Sequence, residues 1–399
     1  MKQRATSTAP SRLCLTLGNR RRLVLCLLAG CLGACSETES DTDASTDGLA
    51  VSFLTFNTAL IAQTGNLEAR LDVIAADLPK TNADAVCLQE LWQPEHLEAF
   101  ASRVKSDYPY AHWSVRESGE SSGCTKDETA TLIGCLTEYC SEVAADQMTA
   151  CAVTNCANEF TGVSTGCQNC VLNNQALPPT EIATTCESSE SKTTAYENQS
   201  GLLLLSKYPL KKKDYLALES SFGDRGVLSA TIETELLPSV NLFCTHLAAT
   251  QSGIEYPGEY DSWAGERAVQ IDRTIKLMDD RKTNKSTSVL MGDLNCGPGG
   301  DGFEGEDTDG FSRLLDAGFT ADYLDSTTTK CTFCKDNDLV GADSSSVLID
   351  HVLFSDLPDS VTQTTTRVFD DSITLDVDGK TLETHRSDHY GLAVTVTGK

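Results

Sequence analysis

Short apolar runs in this chain repeatedly stop on a polar side chain suited to chemistry. Val51 to Phe56 ends at Asn57, Ala85 to Leu88 at Gln89-Glu90, and Leu242 to Thr245 at His246. Val289 to Met291 is followed by Gly292, Asp293 and Asn295, and Val347 to Ile349 by Asp350. Near the end, Asp388 and His389 directly precede the alternating run Leu392 to Val396. Runs of this length read as buried strands. Layered sheet proteins gather ligand chemistry at strand ends, where loops present side chains to a cleft. Gly201 to Ser206 and Val227 to Ile232 read as further strands, and the end of the Val347 run extends to Phe354. Leu67 to Leu78, His96 to Val104 and Ala264 to Met278 carry helical spacing, the first with Leu67, Leu71, Ile74 and Leu78 on one face.

Each pairing has a chemical rationale and an ordinary alternative. In Gly292-Asp-Leu-Asn295 the glycine is expected to let the chain turn. Asp293 and Asn295 then share one side, fit to orient a water and hydrogen-bond a phosphate oxygen; the same residues are also common turn formers. Asp388-His389 sets a carboxylate beside a general acid or base, and Asp350 is a candidate carboxylate to orient the imidazole; the pair also caps ordinary strands. Glu90, Asp388 and the Asn57 amide meet the preference of Mg²⁺ for oxygen ligands. His246 can donate to a non-bridging phosphate oxygen, although a lone histidine beside an apolar strand is more often structural. His351 and His385 are expected to be structural or solvent-facing.

The N-terminus reads as an export signal. Six cations (Lys2, Arg4, Arg12 and Arg20 to Arg22) precede the apolar run Leu23 to Leu28 and then small residues and cysteines, the order of a secretory leader. That run is too short to span a bilayer. Leu28-Ala-Gly-Cys31 and Leu32-Gly-Ala-Cys35 both resemble the bacterial lipobox, and Cys35 is taken as the lipidation site because it leaves an apolar region of more usual length. The reading is a lipoprotein-type signal peptide over 1–35 and an acidic flexible tether over 36–48, with an ordinary cleaved leader as the alternative. The expected location is the bacterial cell envelope, or secretion from the cell.

Eight of the 17 cysteines fall between Cys124 and Cys186. In an exported chain such density reads as disulfides. Cys135/Cys140 and Cys151/Cys156 suit two short helices stapled at both ends as a hairpin. A zinc site is disfavoured, since the segment contains no histidine and lacks paired CxxC spacing. Cys331 and Cys334 are spaced for a short-loop disulfide. Residues 118–192 are therefore taken as a cysteine-rich, helical insertion within a single domain covering 49–399. The formal net charge is −27, and loss of the leader takes it to about −33. Such a surface disfavours stable nucleic-acid binding, although a bound divalent cation can invert the field locally.

Taken in order, Phe56-Asn57, Gln89-Glu90, Ser206-Lys-Tyr-Pro209, Thr245-His-Leu247, Gly292-Asp-Leu-Asn295, Ile349-Asp350 and Ser387-Asp-His389 resemble the motifs of the endonuclease/exonuclease/phosphatase superfamily. The resemblance spans Val51 to Val396 outside the insertion. It implies an α/β (α+β) fold, a four-layer α/β/β/α sandwich of two mixed β-sheets flanked by helices, and Mg²⁺-dependent phosphodiester hydrolysis. Asn57, Glu90 and Asp388 would serve the metal, and His246, Asp293, Asn295, Asp350 and His389 would serve catalysis, with Asp293 or His389 as base. Asp84-Ala-Val-Cys-Leu-Gln-Glu-Leu-Trp92, Tyr108-Pro-Tyr-Ala-His112, Gly223-Asp-Arg-Gly-Val227 and the gap from His246 through Arg267 to Gln270 are similar to neutral sphingomyelinases. That likeness implies a phospholipid substrate, with Arg225 as a substrate contact and the N-terminal lipid providing membrane association. The cysteine-rich insertion departs from their pattern, and its partner is unknown. No apolar tail or membrane-inserting hairpin is present, and Tyr256 and Trp263 are expected to pack rather than touch a bilayer. The alternatives are an extracellular deoxyribonuclease and a non-catalytic surface binding lipoprotein.

Overall fold

Strand β1 (Ala50–Asn57) runs parallel to β2 (Ala85–Gln89), with Asn57 opposite Gln89. It runs antiparallel to the last strand, so that Thr55 lies opposite Leu392. The computed structural model in which these pairings occur describes residues 48–399 apart from 62–63, 115–122, 142, 144–147, 165–166, 169, 172–177, 188–199, 222, 252–255, 257, 327–328, 342–343 and 378. The leader with Cys31 and Cys35, and the tether through residue 47, lie outside the described residues.

With β1 and β2 named, the other strands follow in chain order. They are β3 (Tyr110–His112), β4 (Leu203–Ser206), β5 (Lys211–Leu218), β6 (Arg225–Ile232), β7 (Val240–His246), β8 (Thr287–Asp293), β9 (Asp350–Ser355), β10 (Val361–Val368), β11 (Ile373–Val377), β12 (Lys380–Thr384) and β13 (Gly391–Gly398). One mixed sheet has the order β10-β13-β1-β2-β4-β3, the other β5-β6-β7-β8-β9, and β11-β12 form a separate hairpin. Strands β2, β4, β6, β7 and β8 contain no exposed residue. A strand covered on both faces must be apolar on both, which is why these segments read as continuous apolar runs.

Alternation divides the first sheet's side chains between two cores. Val51, Phe53, Ala85, Cys87 and Leu204 face the second sheet, where Phe53 meets the edge of Phe354 with ring centroids 5.6 Å apart. Leu54, Phe56, Val86, Leu88, Leu203 and Leu205 face helices α1 (Leu67–Asp77) and α2 (Pro94–Arg103), packing with Leu71, Ile74, Leu97 and Phe100. Each such burial contributes about 1.5–3 kcal/mol. On the far side, the long helix Trp263–Arg281 buries Ile271 and Met278, and Thr308–Asp316 buries Phe311 and Leu314. The layers are therefore helix, sheet, sheet, helix. Cys87 and Cys244, which the sequence offers only as buried strand positions, are bonded to one another across the two sheets.

In the insertion, α3 (Lys126–Cys140) begins with a capping box between Thr125 and Glu128. It is stapled to α4 (Met148–Asn155) by Cys135–Cys156 and Cys140–Cys151. Cys124–Cys167 and Cys170–Cys186 close the remainder, which includes α5 (Ala157–Thr161) and α6 (Pro179–Cys186). All eight cysteines are paired, which removes the thiolates a zinc site would need. Cys331–Cys334 is also a disulfide, and Cys296 is a buried free thiol. The far-side helices Trp263–Arg281 and Thr308–Asp316 are α7 and α8.

Candidate active site

Strand direction alone brings the candidate residues to one end of the sandwich. Asn57 ends β1, and Glu90 follows β2. In the second sheet the register sets His246 opposite Asp293 and Asp293 opposite Asp350. Gly226 lies opposite His246, so Arg225 sits at the same end. Asp388 and His389 precede β13, which is antiparallel to β1. Nine candidates that are scattered over some 330 residues of sequence thus meet at a single rim; Cys35, the tenth, lies outside the described residues.

Gly292 does not turn the chain as expected, because β8 continues through Asp293. A Cβ at Gly292 would lie 2.0 Å from the Thr245 carbonyl oxygen. The glycine therefore permits close approach of β7, and with it of His246. Glu90 sits at φ 64°, the left-handed region, a conformation a glutamate holds only at a cost. It turns its carboxylate toward Asn57, whose Nδ2 donates to Glu90 Oε1 at 3.1 Å and to Asp293 Oδ2 at 3.0 Å. The Asn57 Oδ1 is turned away, accepting from the Ala59 amide at 3.1 Å. Asn295 donates its backbone N–H to Asp293 Oδ1 at 2.9 Å and its side-chain amide to the Leu247 carbonyl at 3.0 Å.

Two histidines approach Asp293 Oδ2, His246 through Nε2 at 3.4 Å and His389 through Nε2 at 3.9 Å. Their outer nitrogens have opposite partners. His389 Nδ1 meets Asp350 Oδ2 at 2.8 Å, whereas His246 Nδ1 meets Arg225 Nη1 at 3.3 Å. Burial, then the charges of Arg225 and His389, hold His246 well below its ordinary value. Burial also acts to lower His389, but the Asp350 carboxylate, helped by Asp388 and Asp293, outweighs it and raises the group well above 6.5. Burial and the nearby Asp350 charge push Asp293 up to about 7. Burial and the charge of Asp388 likewise raise Glu90.

Oxygen donors dominate the rim. The charges of Glu90 and Asp388 oppose one another, and Asp388 is 22% exposed. Asp350 Oδ1 is buried with no hydrogen-bond partner. A hard divalent cation suits carboxylate oxygens of this kind. Asp293, Asp350 and His389 also hold ligand atoms within 4.8 Å of one another.

Several supporting residues escaped the sequence reading. Arg70 is fully buried on α1 and donates to the carbonyls of Thr58 (3.1 Å), Ala59 (2.6 Å), Gly65 (2.9 Å) and Arg386 (2.9 Å). It ties the loop after Asn57 to the loop carrying Asp388. The available signal was a cation four residues before Ile74, on the apolar face of the helix. Ser387 Oγ donates to the Asn57 carbonyl at 2.7 Å. Thr332, inside the Cys331–Cys334 loop, accepts from the Asp350 amide at 3.1 Å, and Phe333 packs on His389 at 5.2 Å. His351 is fully buried and His385 pairs with Asp338. Trp263 is buried edge-on to Tyr256 at 5.1 Å.

A model of the endonuclease/exonuclease/phosphatase family matches residues 54–389. Sphingomyelinase C from Streptomyces griseocarneus is similar in structure, with a TM-score of 0.54 and 17% identity over 88% of this chain and 100% of that one. The beta toxin of Staphylococcus aureus, in a crystal with bound magnesium ions, gives 0.54 and 15% over 88% and 100%. Truncated TDP2 of Caenorhabditis elegans gives 0.54 and 16% over 88% and 99%. No curated protein sequence matches the chain.

Proposed function

The chain belongs to the endonuclease/exonuclease/phosphatase family of metal-dependent phosphoester hydrolases, and from that premise we propose that it cleaves a phosphodiester by in-line attack of water. The observation that carries this reading is the meeting of His246, Asn57 and His389 around Asp293 Oδ2. With its carboxyl pushed up to about 7 by burial and then Asp350, Asp293 is poised to take a proton near neutrality. It serves as the base, and its Oδ2 receives the proton of the attacking water. His389, kept cationic by Asp350, stabilises charge on the phosphoryl oxygens. His246 donates from Nε2 to a non-bridging oxygen, and Asn295 fixes Asp293.

Glu90 and Asp388 would hold Mg²⁺, with Asn57 orienting Glu90 through its N–H. When bound, the cation would neutralise phosphate charge and polarise the ester.

The substrate class we assign is a phospholipid, as in sphingomyelinases. Support comes from the extended second motif ending at Trp92, from the similarity to sphingomyelinase C, and from the net charge of −27, which opposes a polyanionic nucleic acid. Six disulfides among the described residues fit an exported protein. Attachment to the membrane through acylated Cys35 belongs to the same proposal.

The test is a substrate panel of sphingomyelin vesicles, lysophospholipid, plasmid DNA and an inositol phosphate, each with Mg²⁺ and with chelator. Release of phosphorylated headgroup from a lipid is the expected result. Cleavage of DNA with no lipid turnover would replace the lipid assignment with an extracellular nuclease.

A further inference from the structure

Arg225 is buried at the start of β6 and is held from two sides. Its guanidinium lies over the Trp92 ring, 5.3 Å from the centroid. Trp92 in turn is pressed onto Gly201, where a Cβ would come within 3.0 Å of the indole. On the other side, Arg225 Nη1 lies 3.3 Å from His246 Nδ1. Gly226 accepts the Tyr215 ring where any side chain would collide, so the backbone beside Arg225 is also fixed.

A guanidinium can only donate. His246 Nδ1 must therefore present its lone pair, and the proton of the neutral ring must sit on Nε2. That nitrogen is the one 3.4 Å from Asp293 Oδ2. The charged and titratable groups around the ring include Arg225 from β6, Asp293 from β8, His389 from the loop before β13 and, beyond Arg225, Glu90 after β2. We infer that Arg225 is a positioning residue, which fixes His246 as the Nε2–H tautomer so that this N–H points into the site. The inference rests on the phosphodiesterase reading for its purpose, but not for its test. It gives Arg225 a role through His246 in place of direct contact with substrate. The other histidine shows what the arrangement avoids: a carboxylate at Nδ1, as Asp350 is to His389, favours a cation instead.

The tautomer can be read without turnover. Long-range ¹H–¹⁵N correlation spectra of the ¹⁵N-histidine-labelled full chain distinguish a protonated from a bare nitrogen, and His246→Gln identifies the signals. Between pH 6 and 7.5 the expected pattern is a protonated Nε2 and a bare Nδ1. Arg225→Met should give mixed tautomers or a protonated ring, whereas Arg225→Lys, which keeps a donor, should retain mostly Nε2–H. In turnover, Arg225→Met should lower kcat about tenfold or more with KM within about twofold. A wild-type spectrum showing Nδ1–H overturns the inference whether or not any variant folds. So does an unchanged His246 signal in a folded Arg225→Met, or a raised KM at unchanged kcat. A protein inactive on every substrate would defeat the functional proposal and leave the tautomer result standing.

Discussion

In the sandwich, five strands are buried along their whole length, and the titratable side chains they carry, Arg225, His246 and Asp293, sit at their ends. The described residues of the insertion pack differently. Its buried apolar cluster contains Leu132, Leu136, Phe160 and Ile182, but nearly half its members are half-cystines. One region is ordered by the area it removes from water, and the other by covalent closure of short loops. The consequence is a division of labour. The proposed chemistry depends on strand register, and changes within the insertion are expected to leave it intact.

The largest expected effect separates the two regions. Asp293→Asn should lower kcat about 10³-fold with little change in the denaturation midpoint. The double change Cys140→Ser, Cys151→Ser should leave kcat within about twofold while making the α3–α4 hairpin protease-sensitive. Comparable activity losses from both would erase the distinction. Next comes Arg70, a buried charge within the sandwich's own framework. Arg70→Met leaves four backbone carbonyls without their donor and should destabilise by about 3–5 kcal/mol in urea unfolding. A loss under 1 kcal/mol would show the two loops to be held by other contacts.

A smaller effect is pH-dependent. Burial lowers His351 from 6.5 to about 4. Its neutral ring lies between the Tyr323 hydroxyl at 2.9 Å and the Cys296 carbonyl at 3.0 Å. A folded value below the unfolded one means the unfolded chain binds the proton first. The contribution is therefore fully present above pH 6.5 and is lost as pH falls toward 4, by up to about 3 kcal/mol. His351→Gln should flatten the stability profile between pH 6.5 and 4, as followed by urea midpoints; an unaltered slope would assign the acid sensitivity elsewhere.

Legibility in the sequence followed burial. β1, β2, β7 and β8 stood out because both faces are covered. The edge strands β5 and β10 did not: β5 opens with Lys211, Lys212 and Lys213 exposed, and β10 alternates threonines toward solvent. α8 was missed because only Phe311 and Leu314 mark its buried apolar side. The nine rim residues could be named because each sits at the mouth of a legible strand. What they touch depends on partners distant in the chain. That is why the Cys87–Cys244 bridge, the clamp by Arg70 and the turn of the Asn57 oxygen onto the Ala59 amide came only from the structure.

The proposed chemistry stands or falls on whether Glu90 and Asp388, at the mouth of the first sheet, hold a cation needed for phosphodiester cleavage. The most direct measurement is hydrolysis of bis-p-nitrophenyl phosphate by the wild type and Glu90→Gln, with chelator and after Mg²⁺ is restored. Chelation is expected to abolish wild-type turnover and Mg²⁺ to restore it, while Glu90→Gln stays inactive under both conditions. Turnover that survives chelation, or a full rate in Glu90→Gln, would contradict that role for the cation.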